Sequence, residues 1–170
     1  MQGIAEFHKV SLGQFTQDSR ACGFIDDLTP LDIVKTIWDS IKLPKRATGG
    51  SGGYDFFLPY PFCLRPSGTV MIPTGIRAEI MPGWVLMLLP RSGLGFKYGL
   101  TLENTIGVID SDYFFADNEG HIHVKLNTKT SISLREGDRF IQGIFVPHGL
   151  TYNDTAEGKR TGGFGSTGVT

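Results

Sequence analysis

From residue 53 onward the chain reads as short apolar stretches separated by Gly, Pro and Asn. "YDFFL" (54–58), "TVMI" (69–72), "IRAEI" (76–80), "WVLMLL" (84–89), "GVID" (107–110), "HIHVKL" (121–126), "TSISL" (130–134) and "RFIQGIFV" (139–146) each have the composition of a strand. Within "HIHVKL", Ile122, Val124 and Leu126 alternate with His121, His123 and Lys125, which predicts one buried and one wetter face. "RFIQGIFV" is apolar on both faces except for Gln142, the pattern of a central strand. Many short strands with turn-rich connections predict an all-β sandwich, jelly roll or barrel.

The first fifty residues follow another period. "IAEFHKV" (4–10) opens as a strand. "TPLDIVKTIWDSI" (29–41) then sets Leu31, Val34, Ile37, Trp38 and Ile41 on one helical stripe. Thr29 is placed as its N-cap, Pro30 as the first helical residue and Asp32 as the capping-box acid. Asp32, Lys35, Thr36 and Asp39 form the polar side. The expected arrangement is a helical insertion over residues 11–43 packed on one β domain. That domain covers residues 1–161, and a glycine-rich segment, "GGFGSTGVT", follows at 162–170. "ATGGSGG" (47–53) is the other linker-like run.

Composition narrows the class. The 170 residues are 40% hydrophobic, enough for a core, and carry a net charge of −1 with scattered basic residues. That balance offers no footprint for a nucleic-acid backbone or a membrane surface. The longest apolar run is far short of a membrane span. Cys22 and Cys63 form no CxxC pattern and read as reduced thiols. A cytoplasmic location is the expectation.

Four stretches carry candidate chemistry. "PRSGLG" (90–95) follows a strand and reads either as an ordinary turn or as a guanidinium, a hydroxyl and bare amides offered to an oxyanion. "GVIDSDY" (107–113) holds Asp110 and Asp112, which share a side if the strand continues; one could serve as a general base, and the alternative is a turn carboxylate. In "EGDRFIQG" (136–143), Asp138 and Arg139 are a candidate ion pair, and Gln142 requires either a sheet partner or a ligand. The 162–170 segment lacks the Lys of a Walker loop, yet Ser166 and Thr167 between glycines could contact phosphate. His121 and His123 have no Cys or third His at suitable spacing, so they are expected at the surface.

In this order, "GGYD" (52–55), "PRSGLG", "NTIGVIDSDY" (104–113), "EGDRFIQ" (136–142) and "GGFGSTG" (162–168) resemble the five motifs of the trimeric, all-β dUTPase family. The resemblance spans residues 44–168. It implies a jelly-roll-like β-barrel, a homotrimer with active sites at subunit interfaces, and Mg²⁺-assisted hydrolysis of dUTP to dUMP and pyrophosphate. It implies Asp110 as the group that activates water, and Tyr113 as a platform that leaves no room for a 2′-hydroxyl. The uracil edge would be read around Asn104, Gly107 and Val108. Arg91, Ser92, Gly93 and Gln142 correspond to phosphate-contacting positions, and Asp55 to an acid that reaches the metal through water. Phe164 would cover uracil, with Gly165, Ser166 and Thr167 near the terminal phosphate. Lys159 and Arg160 stand where the family usually has Arg-Gly, so either could be the phosphate cation. "FFADNEG" (114–120) lengthens the hairpin after Tyr113, where the family commonly has a short Arg-Gly turn. Two other readings compete: a dCTP deaminase of the same superfamily, and a regulatory protein that docks through residues 11–41.

Overall fold

The computed structural model describes residues 3–158. Strand β1 (Ala5–Lys9) leads into helices α1 (Leu12–Ala21) and α2 (Leu31–Ser40). There follow β2 (Lys45–Arg46), β3 (Tyr54–Phe57), β4 (Phe62–Leu64), β5 (Thr69–Pro73), β6 (Ile76–Ile80) and β7 (Trp84–Pro90). Helix α3 (Ser92–Tyr98), β8 (Thr101–Leu102), β9 (Gly107–Ile109), a 3₁₀ turn (Ser111–Phe115), β10 (His123–Asn127), β11 (Ile132–Leu134) and β12 (Arg139–Pro147) complete the order.

The largest sheet runs β2-β3-β12-β7-β9, and every pairing in it is antiparallel. Three smaller antiparallel sheets, β1-β6, β5-β10-β8 and β11-β4, enclose the core with it. The all-β expectation holds, although the described ladders do not join into one closed barrel. β7 and β12 are the longest of the described strands, and both pack apolar side chains onto the core, Leu86 and Leu88 from β7 and Phe140 and Ile141 from β12. Phe56, Leu86, Leu88, Phe140 and Ile141 from this sheet share one buried core with Ile72 of β5, Leu126 of β10 and Ile122 just before β10. Gly143 lies mid-strand in β12 because a Cβ there would stand 2.7 Å from Leu86 Cδ1.

Two N-terminal helices stand where the pattern predicted one. Ser11 caps α1 by accepting from the Gln14 amide at 3.1 Å. Phe15 on α1 is fully buried and stacks on Tyr60 with ring centroids 5.7 Å apart. The period of α1 was hidden because its buried side includes Thr16, Asp18 and Ser19. In α2 the N-cap is Pro30 rather than Thr29, whose hydroxyl donates to Asp26 Oδ1 instead. Leu31 departs from the predicted stripe and is 60% exposed, because the helix meets the domain only from Val34 onward. Lys9 Nζ donates to the carbonyls of Trp38 and Asp39, satisfying orphan acceptors at the end of α2.

The wetter face expected for β10 is only partly present. Ile122, Val124 and Leu126 are buried as predicted and Lys125 is exposed. His121 is also fully buried and His123 is half-buried, so neither is a surface residue. The alternation fails because α1 covers this end of the strand.

Candidate active site

The end of β7 and the facing parts of β3 and β12 assemble a charged group. Asp55 on β3 is buried, and its Oδ1 lies 2.9 Å from Arg91 Nε. Its Oδ2 accepts from Arg139 Nη1 at 3.1 Å. Arg91 Nη1 also donates to the Arg139 carbonyl at 3.2 Å. Asp55 therefore fixes two guanidinium groups in a fork, a suitable cradle for a polyphosphate. The pair expected between Asp138 and Arg139 is absent. Asp138 Oδ2 accepts from the Arg135 amide, while Arg139 turns to Asp55. Arg139 is the member of this group that sequence reasoning missed, although it sits within the "EGDRFIQ" motif.

Gln142 stands opposite Asp55 in the β12–β3 register. Gly53 lets the two strands close over it, since a Cβ there would lie 2.9 Å from Gln142 Oε1. Past Arg91, "SGLGFKY" forms α3 rather than the expected turn, ended by Gly99 in the left-handed conformation. Ser92 and Gly93 are exposed in its first turn.

The other predicted residues lie elsewhere. Asn104 and Thr105 turn the chain between β8 and β9, with Thr105 at φ 68°. Gly107 packs against Leu88, and Val108 is exposed on the outer face. β9 ends at Ile109, and the chain enters the 3₁₀ turn at Ser111, so strand alternation does not extend from Asp110 to Asp112. Tyr113 is buried, and its hydroxyl donates to the His121 carbonyl at 2.9 Å.

Strand register shows that these are two separate groups. Ile109 pairs with Leu86, which places Asp110 beside Val85. Arg91, the extended residue just past the end of β7, lies six positions farther along, roughly 20 Å away at about 3.3 Å per residue. One chain thus unites Asp55, Arg91, Arg139 and Gln142 at one end of the sheet and holds Asp110 and Tyr113 toward the other. Lys159, Arg160, Phe164, Gly165, Ser166 and Thr167 lie outside the described residues.

A family model described as dUTPase matches residues 39–168. The deoxyuridine 5′-triphosphate nucleotidohydrolase of Lactococcus lactis is 41% identical over 134 residues, covering 76% of this chain and 89% of that protein. The enzyme of the same name from Hahella chejuensis is 38% identical over 147 residues, covering 79% of this chain and 92% of that one. Among solved structures, the dUTPase from Streptococcus mutans is 40% identical with a TM-score of 0.58, covering 64% of this chain and 88% of that chain. A Staphylococcus bacteriophage 80alpha dUTPase solved with dUpNHpp shares the fold at 24% identity, with a TM-score of 0.56 and coverage of 76% and 93%. On a family match spanning most of its length and relatives this similar, the chain belongs to the dUTPase family.

Proposed function

We propose that the chain hydrolyses dUTP to dUMP and pyrophosphate in sites completed by further copies of itself. This activity limits uracil incorporation into DNA and supplies dUMP for dTMP synthesis. The observation that carries this reading is the division of the motif residues along β7. A phosphate cradle and a water-activating carboxylate roughly 20 Å apart cannot act on one triphosphate within a single chain. The two groups lie on different patches, so their union between copies is a head-to-tail contact, which closes into a ring such as a trimer. The outer face of the large sheet suits such a contact. Ile144, Met87 and Val108 form a row across β12, β7 and β9, and Ile144 and Val108 are 38% and 52% exposed.

Asp110 orients and deprotonates the water that attacks the α-phosphate, a role worth about 10²–10⁴-fold. Arg91, Ser92, Gly93 and Gln142 hold the phosphate chain and neutralise the charge that develops during in-line attack. The turn at Asn104, Gly107 and Val108 reads the uracil edge, and Tyr113 excludes a 2′-hydroxyl by its bulk. The 162–170 segment closes over bound nucleotide through Phe164, Gly165, Ser166 and Thr167, with Lys159 or Arg160 on phosphate. Asp55 Oδ1 is ion-paired with Arg91 and Oδ2 accepts from Arg139, which leaves a lone pair on each oxygen for metal-bound water. That arrangement fits Mg²⁺, a metal that retains waters and prefers substrate phosphates. When bound, Mg²⁺ supplies charge neutralisation on the triphosphate.

Steady-state pyrophosphate release with dUTP, dCTP and UTP tests the proposal. Turnover is expected with dUTP, strongly reduced by Asp110→Asn. Unchanged turnover in that variant would overturn the assignment of Asp110, and ammonia release from dCTP would replace the reaction.

A further inference from the structure

A buried cluster ties the N-terminal helices to the loop that follows β9. Asp18 on α1 gathers three side chains around its Oδ2. These are His121 Nδ1 at 2.5 Å, His123 Nε2 at 3.2 Å and Gln14 Nε2 at 2.9 Å. A carboxylate and two imidazoles could chelate a transition metal. The Gly75 amide argues against that use, because it donates to His121 Nε2 at 2.8 Å. His121 is thereby fixed with its proton on Nδ1, directed at Asp18. A cation on Nδ1 would force that proton onto Nε2, against the buried Gly75 N–H. The 2.5 Å contact is also shorter than the separation of about 3.3 Å between two ligands on a tetrahedral ion. Burial lowers the pKa of His121 more than Asp18 raises it, which favours a neutral donor.

From His121 the connection continues to Tyr113. The Tyr113 hydroxyl donates to the His121 carbonyl at 2.9 Å and accepts from Asn118 Nδ2 at 2.8 Å. Next to it, the Glu119 carboxylate accepts from the Ser11 amide and hydroxyl at 2.8 and 2.6 Å, at the start of α1. On the other side, Arg77 of β6 donates to the Phe114 carbonyl at 2.6 Å and lies 3.6 Å from the centre of the Phe114 ring. The stretch 113–121 is therefore clamped between β6 and α1. Its lengthened segment, "FFADNEG", supplies the groups that make the clamp.

The geometry points to a role for the N-terminal helices in substrate selection: Asp18 and His121 are positioning residues that hold Tyr113 where it excludes ribonucleotides. The inference rests on the sugar-facing role assigned to Tyr113 under the proposed function. Loss of the Asp18 acceptor would free the His121 ring and slacken the carbonyl that anchors the phenol. The fold would persist, because α1 keeps its Phe15–Tyr60 stacking and its Ser11 cap.

The test compares kcat/KM for dUTP and for UTP in the full-length protein. Asp18→Ala is expected to lower the dUTP-over-UTP ratio about tenfold, as coupling at a distance typically permits. Asp18→Asn, which retains an acceptor oxygen, should restore most of it. Tyr113→Phe keeps the ring, loses only the anchoring hydroxyl and leaves α1 untouched, so it should lower the ratio even if Asp18→Ala fails to fold. Val34→Ala, which removes buried volume from α2, a helix that contributes no residue to the cluster, should lower the melting temperature and leave the ratio unchanged. Tyr113→Ala separates the two claims. If it leaves the ratio unchanged, the sugar-facing role of Tyr113 fails. If it relaxes the ratio while folded Asp18→Ala and Tyr113→Phe do not, the positioning inference fails and the proposed function stands. A ratio that falls equally in Val34→Ala would reduce the cluster to a stabilising contact and overturn the inference.

Discussion

If the catalytic residues come from different copies, two inactive variants should repair each other. Arg91→Ala removes the guanidinium held by Asp55, and Asp110→Asn removes the proposed base. Each homogeneous protein should retain under about 1% of wild-type turnover, since loss of a general base alone costs about 10²–10⁴-fold. Suppose the two proteins are mixed in equal amounts, unfolded and refolded together. An intersubunit site is then intact when its phosphate cradle comes from the Asp110→Asn chain and its carboxylate from the Arg91→Ala chain. Random assembly meets both conditions in about one site in four, so the mixture should recover about 25% of wild-type activity. The spacing along β7 underlies this expectation, because about 20 Å within one chain is too far for both groups to touch one phosphoryl centre. The assay is pyrophosphate release after co-refolding, with each variant refolded alone as a control. A mixture no more active than the mean of the two would refute intersubunit assembly and require a large rearrangement within the chain.

The remaining expectations concern the loop, the cluster and the C-terminal segment. Gly120 has φ 68°, and a Cβ there would lie 2.6 Å from the Tyr113 carbonyl oxygen. Gly120→Ala should therefore destabilise the fold by about 1–3 kcal/mol in urea titration, with none of the gain seen where alanine fits. For His121, the folded-state pKa lies below the ordinary 6.5, so the unfolded chain takes up this proton first as pH falls. Stability from His121 should be complete above that value and decline below it, by at most about 1.4 kcal/mol per pH unit. Burial raises the Asp18 carboxyl pKa, but hydrogen bonds from both histidines and Gln14 outweigh it and hold it below 3.8. A further loss should therefore begin as pH drops through that range. Denaturation midpoints that stay constant from pH 7 to pH 5 would contradict the neutral His121. Deleting residues 162–170 should abolish most turnover while leaving circular dichroism and oligomeric state unchanged; loss of assembly would make that segment structural.

Much of the fold was legible because a strand buried on one face writes its period into neighbouring residues. "IRAEI", "WVLMLL" and "RFIQGIFV" became β6, β7 and β12 with nearly the expected bounds. The motif residues stood out as chemical types, but a turn carboxylate, a surface Arg or a sheet-bonded Gln would read the same locally, and it was their order along the chain that carried the family resemblance. α1 was not legible, since its buried face carries Asp18 and Ser19, whose partners the local pattern cannot show. The histidines were misread for the same reason, as the carboxylate that draws His121 inward lies 103 positions away. By itself the sequence determined the strand pattern, the order of the motifs and the family. Only the tertiary structure decided that Asp55 holds Arg91 and Arg139 together, that Asp110 follows β9 beside the far end of β7, and that an N-terminal helix braces Tyr113. Those facts depend on register and long-range packing, which follow from how the strands pair rather than from any residue's neighbours in the chain.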